Sequence, residues 1–410
     1  MKRIWTSPTI RSAVVYAAAG ACFAIANLIL ARILPPSEYA VVTLVFALVM
    51  VGFALAPAGI DGIVNRRHLE AGPRLFGRVL VATICTAVLF SLIGALGYGT
   101  TTFQTAMIFI STVVGGLMMV ASAKFQSEQR YVISLSLLQG PNLILFLGAI
   151  VTAVSGVREA WLPILIMTLG WFPGAIWGWT VLFKERAGKP HRSVEFPLSE
   201  ALAYAGMQAT GLLLIQLERL ILPHVLPLSD LATYGVLAAI AGSLFRVLQM
   251  SVGYTMLPRL RAAETVAARR KLVAQEARTV GLVVLVGSVG IWLVSPVVEH
   301  WVLAGKYPLP ASLLLAAVVS GISKVVNAFS KSAASALATP QELAIVNVVG
   351  WLSVGIAIAA GVAGARWGLA GVIYGVSLGW IVRSAHTMHV AARHLRLPVA
   401  EPAQQPAAAQ

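Results

Sequence analysis

The chain has 410 residues, of which 58% are hydrophobic and 11% charged, with 30 basic against 15 acidic residues for a formal net charge of +15. Soluble globular domains carry about 25% charged residues, so this composition, with a mean hydropathy of +0.84, excludes a soluble fold and leaves a lipid bilayer as the environment. Crossing ~30 Å of hydrocarbon takes about 20 apolar residues as helix, and runs of that length fill the sequence nearly end to end.

In chain order the apolar runs predict twelve transmembrane helices, over 10–33, 39–64, 79–99, 103–123, 132–155, 160–183, 201–222, 231–257, 279–303, 309–337, 341–364 and 368–390. Backbone amides find no water in hydrocarbon and helices satisfy them internally, so the predicted fold is an all-α polytopic membrane protein. Lys2 and Arg3 precede the first run as in a signal sequence, but that run is too long for a signal core and leads into a second span, so it is expected to be retained. Pro141, Pro163, Pro173 and Pro296 fall within or near spans, where each removes a backbone hydrogen bond and predicts a kink. Cys22 and Cys85 lie inside spans with no CxxC motif or neighbouring histidine, which predicts neither a disulfide nor a metal site. The sixth span is crowded with Trp161, Trp171, Trp177 and Trp179; Trp161 and Trp179 fit interface anchors, and Trp171, nearer the middle, is read as packing rather than as a sugar-stacking ring. The Ala/Pro/Gln-rich stretch from Pro398 to Gln410 reads as a disordered tail.

Lysine and arginine set the orientation. Alternate loops carry Arg66, Arg67, Arg74 and Arg78; Lys124 and Arg130; Lys184, Arg186, Lys189 and Arg192; and Arg259, Arg261, Arg269, Arg270, Lys271 and Arg278, whereas the intervening hairpins hold only Arg32, Arg158, Lys306 and Arg366. The basic set is therefore predicted to be cytoplasmic, with both termini inside. Most of the net charge is then topology rather than a nucleic-acid surface, and the basic 259–278 loop is read as a solvated connector.

The chain also repeats itself. Leu34-Pro35-Pro36-Ser37-Glu38-Tyr39-Ala40 returns 192 residues later as Leu226-Pro227-Leu228-Ser229-Asp230-Leu231-Ala232, each copy lying between two long apolar runs. A second echo, Gly156-Val157-Arg158 and Gly364-Ala365-Arg366, precedes the last span of each half. Six spans per half is an even number, so both halves enter the membrane alike and the repeat is parallel, a layout found in transporters that rock two halves about a central site. The predicted organisation is an N-terminal half over 1–192, a C-terminal half over 193–397 and the tail over 398–410, joined through the charged, proline-containing 184–197 stretch.

The stretch from Leu30-Ala31-Arg32 through the first repeat motif to Arg66-Arg67 resembles the opening of Wzx-type polysaccharide flippases of the multidrug/oligosaccharidyl-lipid/polysaccharide (MOP) exporter superfamily. Glu218-Arg219 on the seventh span, Tyr234 on the eighth and Leu257-Pro258-Arg259 closing it are similar to that family's pattern; Ala40 stands where the family usually has glycine. The resemblance implies a MATE-like fold of two parallel six-helix repeats. It implies a flippase that moves undecaprenyl-pyrophosphate-linked oligosaccharide units across a bacterial cytoplasmic (inner) membrane by alternating access, for O-antigen, capsule or exopolysaccharide assembly. Its partners would be the lipid-linked glycan, membrane lipids and other polysaccharide-assembly proteins, with no cofactor. Such a cargo calls for a positively charged, wet cavity for the diphosphate and an apolar flank for the lipid.

Charges inside spans cost roughly 2.5–3.5 kcal/mol each near a helix centre and are candidates for function. On the tenth span Ser320, Lys324, Asn327 and Lys331 follow at steps of four, three and four, drawing one polar, basic stripe down the helix. Lys324 falls near the midplane, and Lys331, nearer the cytoplasm, either continues the site or snorkels to the interface. Arg246 occupies the middle of the eighth span and is expected to face a wet cavity or a buried acid; Arg219 lies on the seventh. Glu218 points about 100° away from Arg219, so it needs another partner, with Arg246 or Lys324 available, and is a candidate for coupling or for a buried ion pair. In the first half Asn27 stands at the repeat offset of Arg219, Arg32 marks the outer exit and Asp61 the inner end of the second span, both as candidate gates. Gln139 and Asn142 flank Pro141 and either line the cavity or, as the preferred reading, satisfy the kink.

Two other readings are weighed. A MATE-like cation-coupled drug exporter needs deep carboxylates, and Glu218 is the one deep acid. A membrane glycosyltransferase or polymerase needs a large outer loop with catalytic groups, and the outer hairpins are short and without paired carboxylates.

Overall fold

The structure, a computed structural model, describes residues 8–67, 69–187, 196–263 and 265–396. The expected tail, Lys2, Arg3 and part of the 184–197 linker lie outside them. The helices are α1 (Pro8–Ile33), α2 (Pro36–Leu55), α3 (Ile60–Arg67), α4 (Pro73–Leu92), α5 (Thr102–Ser127), α6 (Tyr131–Ser155), α7 (Trp161–Gly170) and α8 (Phe172–Arg186). They continue with α9 (Leu198–Val225), α10 (Leu228–Leu237), α11 (Ser243–Ala262), α12 (Val266–Val297), α13 (Ala311–Leu337), α14 (Pro340–Gly364) and α15 (Gly368–Arg396). No strand occurs among the described residues. Eleven helical stretches are long and apolar enough to cross a membrane, and the last of them, Gln341–Arg396, is α14 and α15 joined through a 3-10 turn, which makes twelve crossings. Both ends of the described chain therefore lie on one face, called here the terminus-bearing face.

Local chemistry explains the boundaries. Thr101 with Gln104 and Thr339 with Glu342 form reciprocal capping boxes that open α5 and α14. Pro36, Pro73 and Pro340 stand in first turns, where the missing N–H costs nothing. The second span breaks at Ala56–Gly59, with Ala58 and Gly59 at φ +49° and +80°, and the sixth breaks at Trp171 just before Pro173. Pro141 and Pro296 stay inside continuous helices. The basic 259–278 segment links two spans and is almost all helix: α11 runs to Ala262 and α12 starts at Val266, capped by Thr265.

Corresponding helices pair in the same way in the two sets. The first set, α1–α8, packs α1 on α6, α2 and α3 on α5, α5 on α7 and α8, and α6 on α7; the second, α9–α15, packs α9 on α14, α11 on α13, α13 on α15 and α14 on α15. The sets meet where α2 lies against α9 and α10 and where α1 lies against α11. Large apolar side chains such as Leu96, Val154, Leu293 and Trp301 are exposed on the outside, as lipid contact requires. Trp161 and Trp177 are exposed among them. Trp179 is not an interface anchor: it is buried, and its indole N–H donates to the Leu117 carbonyl at 2.9 Å. Trp171 is fully buried and packs edge-on against Phe53.

Both faces carry contacts between the sets. On the terminus-bearing face Glu200 of α9 pairs with Arg66 at 2.9 Å and Arg67 at 2.5 Å. On the opposite face the Tyr98 hydroxyl donates to the Leu220 carbonyl at 2.9 Å while its ring packs on His224, and Lys306 donates to the Ala31 carbonyl at 3.0 Å and to that of Leu34. Tyr98→Phe keeps the ring contact and deletes one hydrogen bond; thermal unfolding in detergent is expected to register a loss of about 1 kcal/mol.

Candidate functional site

A cavity of about 90 Å³ lies within the second set, walled by α9, α10, α11 and α13, with Ile373 from α15, and Phe23 of α1 closes it from the side of the first set. One wall is a π turn over Ala238–Gly242 that links α10 to α11, and Ala238, Ala241 and Gly242 line the space directly. Such single wide turns recur at functional sites because they offset the side chains that follow. Opposite it, Gly321 lets α13 close on α11: a Cβ there would fall 2.0 Å from the Phe245 ring.

Three of the predicted cations meet in this cavity. Arg219, Arg246 and Lys324 all line it, with Gln216, Tyr234, Gln249 and Ser320 as polar neighbours. Glu218 is fully buried beside them, and its Oε1 accepts from Lys324 Nζ at 2.7 Å and from Ser320 Oγ at 3.3 Å. Of the two partners open to Glu218, packing selects Lys324. Arg219 donates to Gln216 Oε1 at 2.6 Å and lies over the Tyr234 ring, 5.8 Å from its centroid. The Arg246 guanidinium sits over Phe23 at 5.8 Å, with Tyr16 of α1 nearby. Among the described residues no carboxylate pairs with Arg219 or Arg246, so three cations against one carboxylate leave two positive charges.

The stripe on α13 does not act as one surface. Ser320 and Lys324 face the cavity, whereas Asn327 and Lys331 do not line it. At ~1.5 Å of rise per residue, Lys331 stands about 10 Å beyond Lys324 along α13, where the charge of Arg383 on α15 is felt. Asn327 is buried, and its amide nitrogen has no partner among the described residues. The candidate gates fall at opposite ends. Arg32 is exposed on the opposite face, and Asp61 is buried near the terminus-bearing face, where Oδ2 accepts from Gln208 at 3.1 Å. Asp61 lines a separate cavity of about 570 Å³ with Arg66, Tyr204 and Gln208. Asn27 donates to the Phe23 carbonyl and accepts from the Tyr39 hydroxyl, and Gln139 accepts from Asn142 at 2.9 Å, so all three are engaged away from the central cavity. Cys22 and Cys85 are free thiols.

Sequence reading missed Arg383. It is buried on α15, donates to Thr210 Oγ1 at 3.1 Å, and leaves Nε and Nη1 without partners among the described residues. The signal was available: a lone arginine after Trp380-Ile381-Val382 inside an apolar span is a candidate by position alone.

No protein-family profile and no curated protein matches the sequence. Similarity lies in the fold. The structure matches an inward-facing multidrug resistance MATE family transporter of the MOP superfamily with a TM-score of 0.64 at 13% identity, covering 93% of this chain and 98% of that one. It matches the lipid II flippase MurJ in an inward closed conformation with a TM-score of 0.61 at 11% identity, over 93% of this chain and 87% of that one. A bent form of the Vibrio cholerae MATE transporter VcmN gives 0.53 at 14% identity, over 95% and 98%. The chain therefore has the fold shared by the MATE and MurJ structures.

Proposed function

We propose that the chain is a MOP-superfamily exporter working by alternating access, and within that class a Wzx-type flippase for an undecaprenyl-pyrophosphate-linked oligosaccharide. The observation that carries this reading is the charge of the central cavity: Arg219, Arg246 and Lys324 against the single carboxylate of Glu218. Buried cations in excess of their counter-charges are costly in a membrane, and a diphosphate supplies the missing negative charge. Phe23, Ile215 and Ile373 give the same cavity an apolar flank for the first isoprene units. Arg219 and Arg246 hold the diphosphate through charge-assisted hydrogen bonds, while Lys324 is shared with Glu218 and keeps the site from binding too tightly to release.

The basic loops favour a cytoplasmic terminus-bearing face. Repacking of α2 on α9 and of α1 on α11 then alternates access, with the 1–192 and 193–397 halves as the moving bodies. A MATE-like exporter of cations fits less well, because the one carboxylate beside the cavity is already held by Lys324 and Ser320. A polymerase or glycosyltransferase would need a constellation of catalytic groups at the cavity, and two arginines and an ion pair supply binding rather than bond-making chemistry.

The test is flipping in proteoliposomes loaded with a fluorescent undecaprenyl-pyrophosphate oligosaccharide, read by exposure to an external glycosidase. Wild type is expected to flip, and Arg246→Gln, which removes a charge without breaking an ion pair, to be slower by roughly 10-fold or more. Wild-type rates in both Arg246→Gln and Arg219→Gln would remove the diphosphate from this cavity.

A further inference from the structure

Hairpins on the face opposite the termini hold few cations: among the described residues Arg32, Arg158, Lys306 and Arg366. Three of these four converge on one cavity of about 540 Å³, although they come from the α1–α2, α6–α7 and α12–α13 hairpins. Arg366, in the hairpin that echoes that of Arg158, lies over Trp367 instead. The convergence is thus not a general excess of charge on this face but a local gathering of what little is there.

The cavity is built across the two helix sets. Arg32 and Arg158 belong to the first and Lys306 to the second. Lys306 is drawn in by the carbonyls that end α1, donating to Ala31 at 3.0 Å and to Leu34, which leaves one of its three N–H groups for another acceptor. Burial first, and then the charges of Arg32 and Arg158, push the Lys306 ammonium below its ordinary range. The nearby acids do not relieve them. Glu38 accepts from the Ala160 amide at 2.7 Å at the start of α7, Glu159 is exposed, and among the described residues no carboxylate pairs with any of the three cations. A cavity this size has room for a diphosphate with ordered water.

We propose that Arg32, Arg158 and Lys306 form a binding site for a phosphate or diphosphate group on the face opposite the termini, and that its occupancy holds that face closed. Closure follows from the geometry, because drawing the two sets apart on this face carries Lys306 away from Arg32 and Arg158 and dismantles the site. A group that binds the closed state alone shifts the population toward it. The site is separate from the central cavity and stands whatever cargo the central cavity carries. The anion is either free in solution or the headgroup of a lipid in the adjoining leaflet.

The test uses the full chain in phosphatidylcholine nanodiscs titrated with inorganic pyrophosphate, reading binding as saturable protection of 303–310 against hydrogen exchange, a local readout that diphosphate held in the central cavity does not enter. Wild type is expected to bind saturably and to exchange more slowly over that hairpin. The Arg32→Gln/Arg158→Gln pair should bind at least roughly 10-fold more weakly, with no protection of the hairpin; both side chains are exposed, so the fold survives the change. Arg158→Lys, which keeps the charge, should retain protection, as should Arg246→Gln, which alters only the central cavity. Phosphatidylglycerol nanodiscs separate the sources: protection before pyrophosphate is added identifies a lipid headgroup, and protection only afterwards identifies a soluble anion. Wild-type binding in the double variant, or exchange over 303–310 indifferent to both pyrophosphate and phosphatidylglycerol, overturns the proposal.

Discussion

Lys324→Met is expected to lower stability by about 3–5 kcal/mol, whereas Glu218→Gln/Lys324→Met together should recover most of the loss. Glu218 is fully buried and Lys324 Nζ at 2.7 Å is its charged partner, the remaining contacts being to the neutral hydroxyls of Ser320 and Tyr234. Removing the ammonium strands a charge in a low-dielectric interior. Removing both leaves two neutral groups of similar shape, which is why the pair as a whole contributes far less than either partner's loss suggests. Thermal unfolding in detergent of the wild type, both single variants and the double closes the thermodynamic cycle. A Lys324→Met protein as stable as the wild type would mean that Arg219 or Arg246 takes over the carboxylate, and the cavity would then hold one uncompensated cation rather than two.

Gly59→Val is expected to cost roughly 3 kcal/mol, combining the strain of a left-handed backbone with that of overpacking. Gly59 has φ +80° at the break between α2 and α3, and a Cβ there would fall 1.9 Å from the Ala201 carbonyl oxygen of α9. The obstacle is backbone, so no side-chain rotation relieves it. The two sets would separate at that point on the terminus-bearing face, and the pairs from Arg66 and Arg67 to Glu200 would loosen. Faster tryptic cleavage at Arg66 and Arg67 should accompany the fall in melting temperature. Gly77→Val is the matched control: a Cβ at Gly77 meets nothing within 4 Å, and its effect should stay within about 0.5 kcal/mol. Equal effects at the two positions would mean that α3 and α9 yield freely, and the contact would not restrain the halves.

Different parts of this architecture were legible in the sequence to different degrees. Helix positions were readable because each apolar run reports its own transfer free energy; the caps at Thr101 and Thr339, which act within three residues of themselves, were not read and fixed only the exact starts. Arg219, Arg246 and Lys324 were readable as candidates for the same reason: a cation in an apolar run stands out before any partner is known. Lys331 and Asn327 were placed with them by spacing on α13, but spacing fixes a face of the helix and not how far along that face the cavity extends. Trp179 was misread because an aromatic residue at a span end can equally turn inward, and a carbonyl at Leu117 was there to receive its N–H. Arg383 escaped because it stands alone in the last span, with no periodic companion.

By itself, then, the sequence determined the membrane environment, the twelve crossings, the uneven basic loops and the internal echo, all of which depend on composition and on interactions between residues close in the chain. The tertiary structure alone decided that Glu218 pairs with Lys324, that Asn327 and Lys331 fall outside the central cavity, and that Arg32, Arg158 and Lys306 meet across three hairpins. Those outcomes depend on the rotation and depth at which packed helices settle, and contacts between residues more than a hundred positions apart are set by the shape of both surfaces at once.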